Sequence, residues 1–203
     1  MTAERCVACG EPSSVLEKVV PLKVESGGKS TVIQDRRMVC DKCGNVSYVG
    51  AQISEHERAA AAAIREIEGL LSADELQRIR AKYRLKQTDM EQMLSTGPKT
   101  WTRWERGKVP QSKAADKLIR LIAEDPDVAR RLMEQAGIDN PEASATFAQI
   151  EADAKLISRA AIRAELRRFQ DGDIERVVDR AADAAFETVR DARRQAAARS
   201  EAA

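Results

Sequence analysis

All four cysteines of this 203-residue chain lie near its N-terminus, in two C-x-x-C pairs. Cys6 and Cys9 belong to the segment CVACG, and Cys40 and Cys43 belong to CDKCG, about 30 residues further on. Two such pairs at this separation are typical of a tetrahedral zinc site with four thiolate ligands. The alternative is a redox dithiol pair or two structural disulfides, which a reducing cytosol and the lack of a thioredoxin-like βαβ pattern disfavour.

A glycine follows each cysteine pair, and this supports a metal site. Gly10 and Gly44 can adopt backbone angles closed to other residues, so that amide N–H groups turn back toward the thiolates. Since four thiolates complete the shell of a zinc ion, we expect one structural Zn²⁺ per chain and no open catalytic position. The only histidine, His56, is then expected to be a surface residue in the first turn of a helix and not a ligand.

Two segments rich in β-branched residues lie between the cysteine pairs. Residues 15–25 and 30–40 are separated by Ser26-Gly27-Gly28-Lys29, and they predict a β-hairpin whose far ends bring the cysteine pairs together. Residues 46–50 predict a short third strand. So small a sheet buries little apolar surface, so metal binding would supply much of its folding free energy.

The rest of the chain is predicted to be mainly helical. Charged residues make up 33% of it and only ten residues are glycine, a composition typical of solvated helices. Ser54-Glu55-His56-Glu57 forms a capping box, which predicts a linker helix from residue 54 to about Leu71. No apolar run approaches the roughly 18 residues of a membrane span, and the N-terminal residues have no signal-peptide core. We therefore expect a cytoplasmic protein with no membrane partner.

Charge is unevenly distributed along the chain, although the formal net charge is only +1. Residues 72–123 carry twelve basic and six acidic side chains, and no other segment is clearly basic. A polyanionic partner would therefore dock on this segment, and a solvated charged surface is the alternative.

The same basic segment predicts a run of short helices. The predicted elements are helices at about 73–84 and 87–94, a turn through Ser95-Thr96-Gly97, a helix from Pro98 to Arg106, and a helix from about Gln111. A short helix, a tight turn with glycine and a second short helix make the helix-turn-helix arrangement. Its second helix enters the major groove of DNA.

Both tryptophans of the chain lie in the third of these helices, within TWTRWERGKVP. At about 100° per residue, Trp101 and Trp104 fall on one face of the helix. The opposite face carries Lys99, Thr102, Arg103 and Arg106. The rings could stack on unpaired bases, but a short helix with a polar outer face needs large anchors, so we expect buried rings. The opposite face can then present its cations to guanine and its threonines to bases or phosphates.

These segments resemble a known family. Residues 72–123, with LKQTDMEQML, GPKTWTRWERGKVPQS and KLIRLI, resemble the Xre/Cro-type helix-turn-helix of repressor domains. With a four-cysteine module before it, the chain resembles the MqsA (YgiT-type) antitoxin family over about residues 4 to 135. The resemblance implies a dimeric autorepressor that binds double-stranded operator DNA, and a zinc module that binds a protein toxin.

The resemblance also implies which residues contact DNA. Arg103 stands where such proteins place a base-reading arginine, and Gln87 stands where Xre-type domains often contact a phosphate. Lys99 departs from the pattern, which has asparagine there, and this bears on the operator sequence more than on DNA binding. The full set of predicted DNA-binding residues is Gln87, Lys99, Thr100, Thr102, Arg103, Arg106 and Lys108.

Residues 138–203 lie outside this resemblance. Ile138-Asp139-Asn140-Pro141 indicates a boundary, and two amphipathic helices are predicted at about 143–170 and 174–199, broken by Asp171-Gly172-Asp173. Their apolar side chains are small and would bury little surface alone. We therefore expect this helical hairpin to pack on a second copy, on the rest of the chain or on a partner protein.

The predicted protein is mainly α. Its predicted domains are a four-cysteine zinc-binding module with a small β-hairpin at 1–53, a linker helix at 54–71, a five-helix Xre/Cro-type helix-turn-helix domain at 72–137 and a C-terminal helical hairpin at 138–203. The predicted function is a DNA-binding repressor that is also an antitoxin, and the alternative is a stand-alone or prophage regulator with no toxin partner. Neither an enzyme nor a small-molecule substrate is expected, because no histidine or carboxylate accompanies the thiolates as an open catalytic site requires.

Overall fold

A small antiparallel sheet followed by helices makes up the fold, as the sequence predicts. The computed structural model describes residues 5–12, 14–166, 183, 187–191 and 194–195. None of the helices in this part of the chain is long and apolar enough to cross a lipid bilayer.

The chain divides into two compact units, which are described separately. The first unit comprises Met1–Ala73 and Thr102–Lys113, and the second comprises Asp74–Trp101 and Ala114–Ala203. The predicted domain boundaries after residues 53, 71 and 137 stay predictions.

The first unit contains the predicted β-hairpin, which is confirmed. β1 (Val15–Ser26) pairs antiparallel with β2 (Lys29–Cys40), so that the start of β1 lies opposite the end of β2. Gly27 and Gly28 form the tip, with φ angles of 55° and 78°. This left-handed region disfavours residues with a Cβ, which explains the glycine pair.

The third strand is shorter than the predicted strand at 46–50. β3 (Val46–Ser47) pairs with β2 over two residues only. The chain leaves the sheet there because the next polar groups have other partners: Tyr48 Oη donates to Asp35 Oδ2 at 2.7 Å, and the Val49 N–H donates to Gln52 Oε1 at 3.0 Å.

Helix α1 (Ala51–Glu68) begins earlier than the capping box predicts. Its N-cap is Gly50, whose φ of 52° is one that few other residues adopt. The predicted start at Ser54 is therefore wrong, because the side chain of Gln52 and the glycine conformation form a helix start three residues earlier. The helix ends at Gly69, whose φ is 64° and whose N–H returns to the carbonyl of Glu66 at 3.3 Å.

Five helices occupy the predicted helix-turn-helix segment, as expected. They are α2 (Ala73–Lys82), α3 (Gln87–Met93), α4 (Thr100–Glu105), α5 (Lys113–Glu124) and α6 (Pro126–Gln135). The buried apolar side chains of the second unit include Leu76, Ile79, Tyr83, Met90, Trp101, Ile119 and Ile122. The buried Tyr83 hydroxyl donates to the carbonyl of Ile122 at 2.9 Å, so the core contains no unsatisfied phenol there.

Two details of this segment differ from the prediction. Helix α4 begins at Thr100 and not at Pro98, because Lys99 has a φ of 62° and cannot belong to a right-handed helix. In α3, Met93 is buried, whereas Leu94, which was predicted to face inward, is only partly buried.

Helix α7 (Pro141–Leu166) belongs to the second unit, and its buried residues include Ala143, Phe147, Ile150, Ala154 and Ser158. Asn140 precedes it and is buried; its Oδ1 accepts the N–H of Ala143 at 3.0 Å, and its Nδ2 donates to Asp89 Oδ2 at 2.6 Å. Phe147 stacks on the Tyr83 ring at 5.2 Å between centroids. Of the three alternatives for this tail, packing on the rest of the chain is the one that the start of α7 shows.

The remainder of the predicted C-terminal helical hairpin is only partly described. Of the predicted second helix at about 174–199, residues 183, 187–191 and 194–195 are described and are helical. The predicted break at Asp171-Gly172-Asp173 lies outside the described residues.

Candidate metal centre and nucleic-acid interface

The four cysteines come together at one end of the hairpin. Their sulfur atoms all lie within 4.8 Å of one another. The Sγ atoms of Cys6 and Cys43 are 3.7 Å apart, as are those of Cys9 and Cys40. A tetrahedral zinc site with Zn–S bonds of about 2.3 Å has sulfur–sulfur edges of about 3.8 Å, so this donor set fits a zinc ion. The group contains no histidine or carboxylate, so its four thiols alone would complete the coordination shell.

The glycine after each cysteine pair has the backbone conformation that the sequence predicts. Gly10 and Gly44 have φ angles of 73° and 72°. Their N–H groups donate to the carbonyls of Cys6 and Cys40, each at 2.8 Å. Each C-x-x-C segment is therefore closed into a tight turn that brings its two sulfur atoms to the same side.

Ser14 is a site residue that the sequence did not reveal. Its hydroxyl is buried and lies 3.2 Å from Cys40 Sγ. This hydroxyl, together with the backbone N–H groups of Cys43 and Lys42, lowers the pKa of Cys40 to about 6. The pKa of Cys6 is lowered as well, whereas those of Cys9 and Cys43 are raised, so Cys40 is the thiol that ionises most readily to the thiolate form that binds metal.

His56 is not the plain surface residue that was predicted. It lies in the second turn of α1, outside the cysteine group, and its Nδ1 is 2.9 Å from Asp35 Oδ1. Its ring packs against Tyr48 with 4.7 Å between centroids. The prediction failed because Asp35, the common partner of both side chains, is distant in sequence and buried in β2.

Asp35 joins the sheet to α1. Its side chain is only 1% exposed, and Arg37 Nη1 also approaches it, at 3.5 Å from Oδ2. Burial opposes ionisation of Asp35, but the hydrogen bonds from Tyr48 and His56 and the charge of Arg37 outweigh burial, and its pKa is lowered. The ionised Asp35 carboxylate therefore stabilises the folded protein at pH values above the ordinary pKa of an aspartate. This contribution is lost as the pH falls through the lowered pKa.

We expect Asp35→Asn to destabilise the first unit by about 1–3 kcal/mol, because a neutral amide leaves buried donors without a charged acceptor. Thermal unfolding at neutral pH measures the effect, and the difference from the wild type should shrink in acid. Asp41→Asn is the control, since Asp41 is exposed and its pair with Lys18 lies at the surface. Equal stability of Asp35→Asn and Asp41→Asn would contradict this role for Asp35.

The two tryptophans of α4 are buried, as predicted. Trp101 is 0% exposed and Trp104 is 6% exposed. The predicted DNA-binding residues lie at the surface to different degrees: Lys99, Arg103 and Arg106 are exposed, whereas Gln87, Thr100, Thr102 and Lys108 are half-buried. Lys108 also forms an ion pair with Glu57 at 3.7 Å. The contact of these seven residues with DNA stays a prediction.

Glu91 holds the turn between α3 and α4, and it was missed in the sequence. Its side chain is buried, and its Oε1 accepts the backbone N–H of Trp101 at 3.0 Å. Its backbone carbonyl accepts the N–H of Thr96 at 2.9 Å. A glutamate in a short polar helix gives no sequence signal for burial, because its partner is the first turn of the next helix.

Comparison with known protein families identifies a related family. The chain matches the model of the family described as the antitoxin component of bacterial toxin–antitoxin systems, MqsA, over residues 4–133. No curated protein sequence matches it. The matched residues include all four clustered cysteines and α1 to α5, and they make up more than half of the chain. The chain therefore belongs to the MqsA antitoxin family.

Proposed function

We propose that this chain is a zinc-stabilised, sequence-specific DNA-binding repressor of its own operon and that it neutralises a protein toxin. One observation carries the DNA-binding part: both indole rings of α4 are buried, while Arg103 and Arg106 are exposed. A helix anchored in this way can present its cations to the base edges of the major groove. Family membership supports the antitoxin part.

The proposed assignments of the chain follow the predicted domains. Residues 1–53 form the zinc module, 54–71 the linker helix, 72–137 the DNA-binding domain and 138–203 a helical extension. The metal is zinc, one ion per chain, and Cys6, Cys9, Cys40 and Cys43 hold it. The fit of the sulfur–sulfur distances to tetrahedral coordination supports this choice of metal.

The proposed partners are operator DNA, a second copy of the chain and a toxin. A dimer matches the two half-sites of a palindromic operator, which lie about 34 Å apart on one face of the duplex. We place the protein in the cytoplasm, where DNA and a toxin are both accessible. A regulator of this type needs no small-molecule substrate, and we expect no catalytic activity.

We expect Arg103→Ala to weaken operator binding by about 1–3 kcal/mol, because a bidentate arginine–guanine contact contributes this much discrimination. The measurement is a titration with the DNA upstream of the gene for this chain, compared with a random duplex. Binding to the random duplex should change little. A variant that loses the same affinity for both duplexes would show that Arg103 contacts a phosphate and not a base.

Arg131→Ala is the matched control for this titration. Arg131 is an exposed arginine on α6, outside the proposed DNA-binding residues. The same charge is removed, at a position outside the proposed DNA-binding residues, so the variant measures the effect of losing one exposed cation elsewhere on the protein. Equal effects of Arg103→Ala and Arg131→Ala on operator binding would contradict base recognition by Arg103.

Co-expression with the neighbouring gene tests the antitoxin part. If that gene inhibits growth and this chain relieves the inhibition and co-purifies with its product, the antitoxin function is supported. Operator binding with no such neighbour would instead support the alternative of a stand-alone regulator.

A further inference from the structure

A buried arginine links α1 to the end of α4 within the first unit. Arg65 is 5% exposed although it carries a guanidinium group. Its Nη2 donates to the backbone carbonyls of Trp104 at 3.0 Å and Val109 at 2.7 Å. Its Nε donates to Gln111 Oε1 at 3.2 Å. The guanidinium thus binds groups inside the protein, and its burial keeps it from binding a ligand in solvent.

The carbonyl of Trp104 belongs to the last turn of α4. The last carbonyls of a helix have no partner within it, and a cation near them also interacts favourably with the helix dipole. Helix α4 has only six residues, so it has little stability of its own. Arg65 therefore stabilises the end of the helix that carries Arg103.

The loop after α4 is held against α1 by further contacts. Gln111 is 3% exposed, and its Nε2 donates to the carbonyl of Leu71 at 2.8 Å. Gly107 has a φ of 71°, and a Cβ built there would be in ordinary van der Waals contact with Arg58 Cγ of α1, at 3.8 Å. Because Arg65 binds carbonyls on both sides of Gly107, it fixes the direction in which the chain leaves α4.

We propose that Arg65 is a positioning residue for DNA recognition: it holds the C-terminal end of α4 so that Arg103 and Arg106 point in a fixed direction. This inference rests on the proposed DNA-binding function. Arg65 does not contact DNA itself, because its side chain is buried and its Nη2 and Nε donate to Trp104, Val109 and Gln111 inside the protein. Its loss should therefore affect recognition of the operator more than general affinity for a polyanion.

The test compares Arg65→Met with Arg58→Met. Both variants remove one positive charge from α1, but Arg58 is exposed and its Nε donates within the helix, to the carbonyl of Ser54. We expect Arg65→Met to lose about 10-fold in operator affinity, with binding to a random duplex equal to that of Arg58→Met. An equal loss on both duplexes, or no loss on the operator, would overturn the proposal.

Tryptophan fluorescence gives a second measurement that does not need DNA. Both tryptophans of the chain lie in α4, so acrylamide quenching reports on this helix alone. We expect greater quenching in Arg65→Met than in Arg58→Met, and equal quenching would overturn the proposal. If the wild type did not prefer the operator, the proposed function would fail, and quenching would still show whether Arg65 holds α4.

Arg65→Lys tests the positioning role of Arg65 if Arg65→Met does not fold. A lysine keeps the charge but cannot bind both carbonyls and Gln111 with the geometry of a guanidinium. We expect operator affinity below that of the wild type and quenching above it. Wild-type affinity and quenching in Arg65→Lys would overturn the proposal.

Discussion

Removal of the metal is expected to unfold the hairpin at the N-terminus of this protein. Structural zinc stabilises small metal-binding domains by about 10–16 kcal/mol at neutral pH. The hairpin buries little apolar surface of its own, because Val24 is the only buried aliphatic side chain of β1, β2 and β3. No other single change is expected to have so large an effect on this part of the molecule.

Hydrogen exchange measured by mass spectrometry tests this expectation. A chelator, or the substitution Cys40→Ser, should abolish protection of the amides in β1 and β2, while α3 and α5 keep theirs. Val19→Ser is the control, since Val19 is a strand residue that is 61% exposed and contacts no cysteine ligand in the sheet register. Elemental analysis should give about one zinc per chain. Full protection in the metal-free protein would refute a structural role for the metal.

Trp101→Ala is expected to destabilise the second unit by about 3–5 kcal/mol, the usual result of truncating a buried aromatic side chain. Trp101 is 0% exposed and is among the largest fully buried side chains of the described chain. Truncation leaves a cavity at the start of α4, next to the turn that Glu91 holds. Chemical denaturation measures the change in the free energy of unfolding.

Trp101→Phe is the graded control for this substitution. Phenylalanine refills part of the cavity, so it should lose clearly less stability than alanine. If both variants unfolded at the same denaturant concentration as the wild type, the ring would not anchor α4, and the basis for an outward-facing DNA surface would be lost.

Local patterns in the sequence predict much of this structure. The two C-x-x-C pairs with Gly10 and Gly44 predict the cysteine cluster, because metal-ligand spacing and left-handed glycines are short-range signals. The spacing of Trp101 and Trp104 predicts that both rings are buried, because helical periodicity needs no knowledge of distant residues. Four of the five helices between residues 72 and 137, α2 to α5, follow from such local patterns as well.

The missed features all depend on partners far away in the sequence. Asp35 and His56, Arg65 and Trp104, and Asn140 and Asp89 each form a buried polar contact across many residues. A charged residue in an amphipathic helix is normally exposed, and only the fold shows that Arg65 and Glu91 are buried. The helix-start rules also miss the true starts of α1 and α4, because Gly50 and Lys99 have positive φ angles and the side chain of Gln52 accepts the N–H of Val49.

The backbone at Lys99 limits which residues this position accommodates without strain. A left-handed conformation costs a residue with a Cβ roughly 1–2 kcal/mol, and only glycine, asparagine and aspartate adopt it with ease. Any new side chain at this position must therefore be compatible with the left-handed turn. The lysine now at residue 99 carries this backbone cost, whereas Arg103 lies inside a regular helix and carries none.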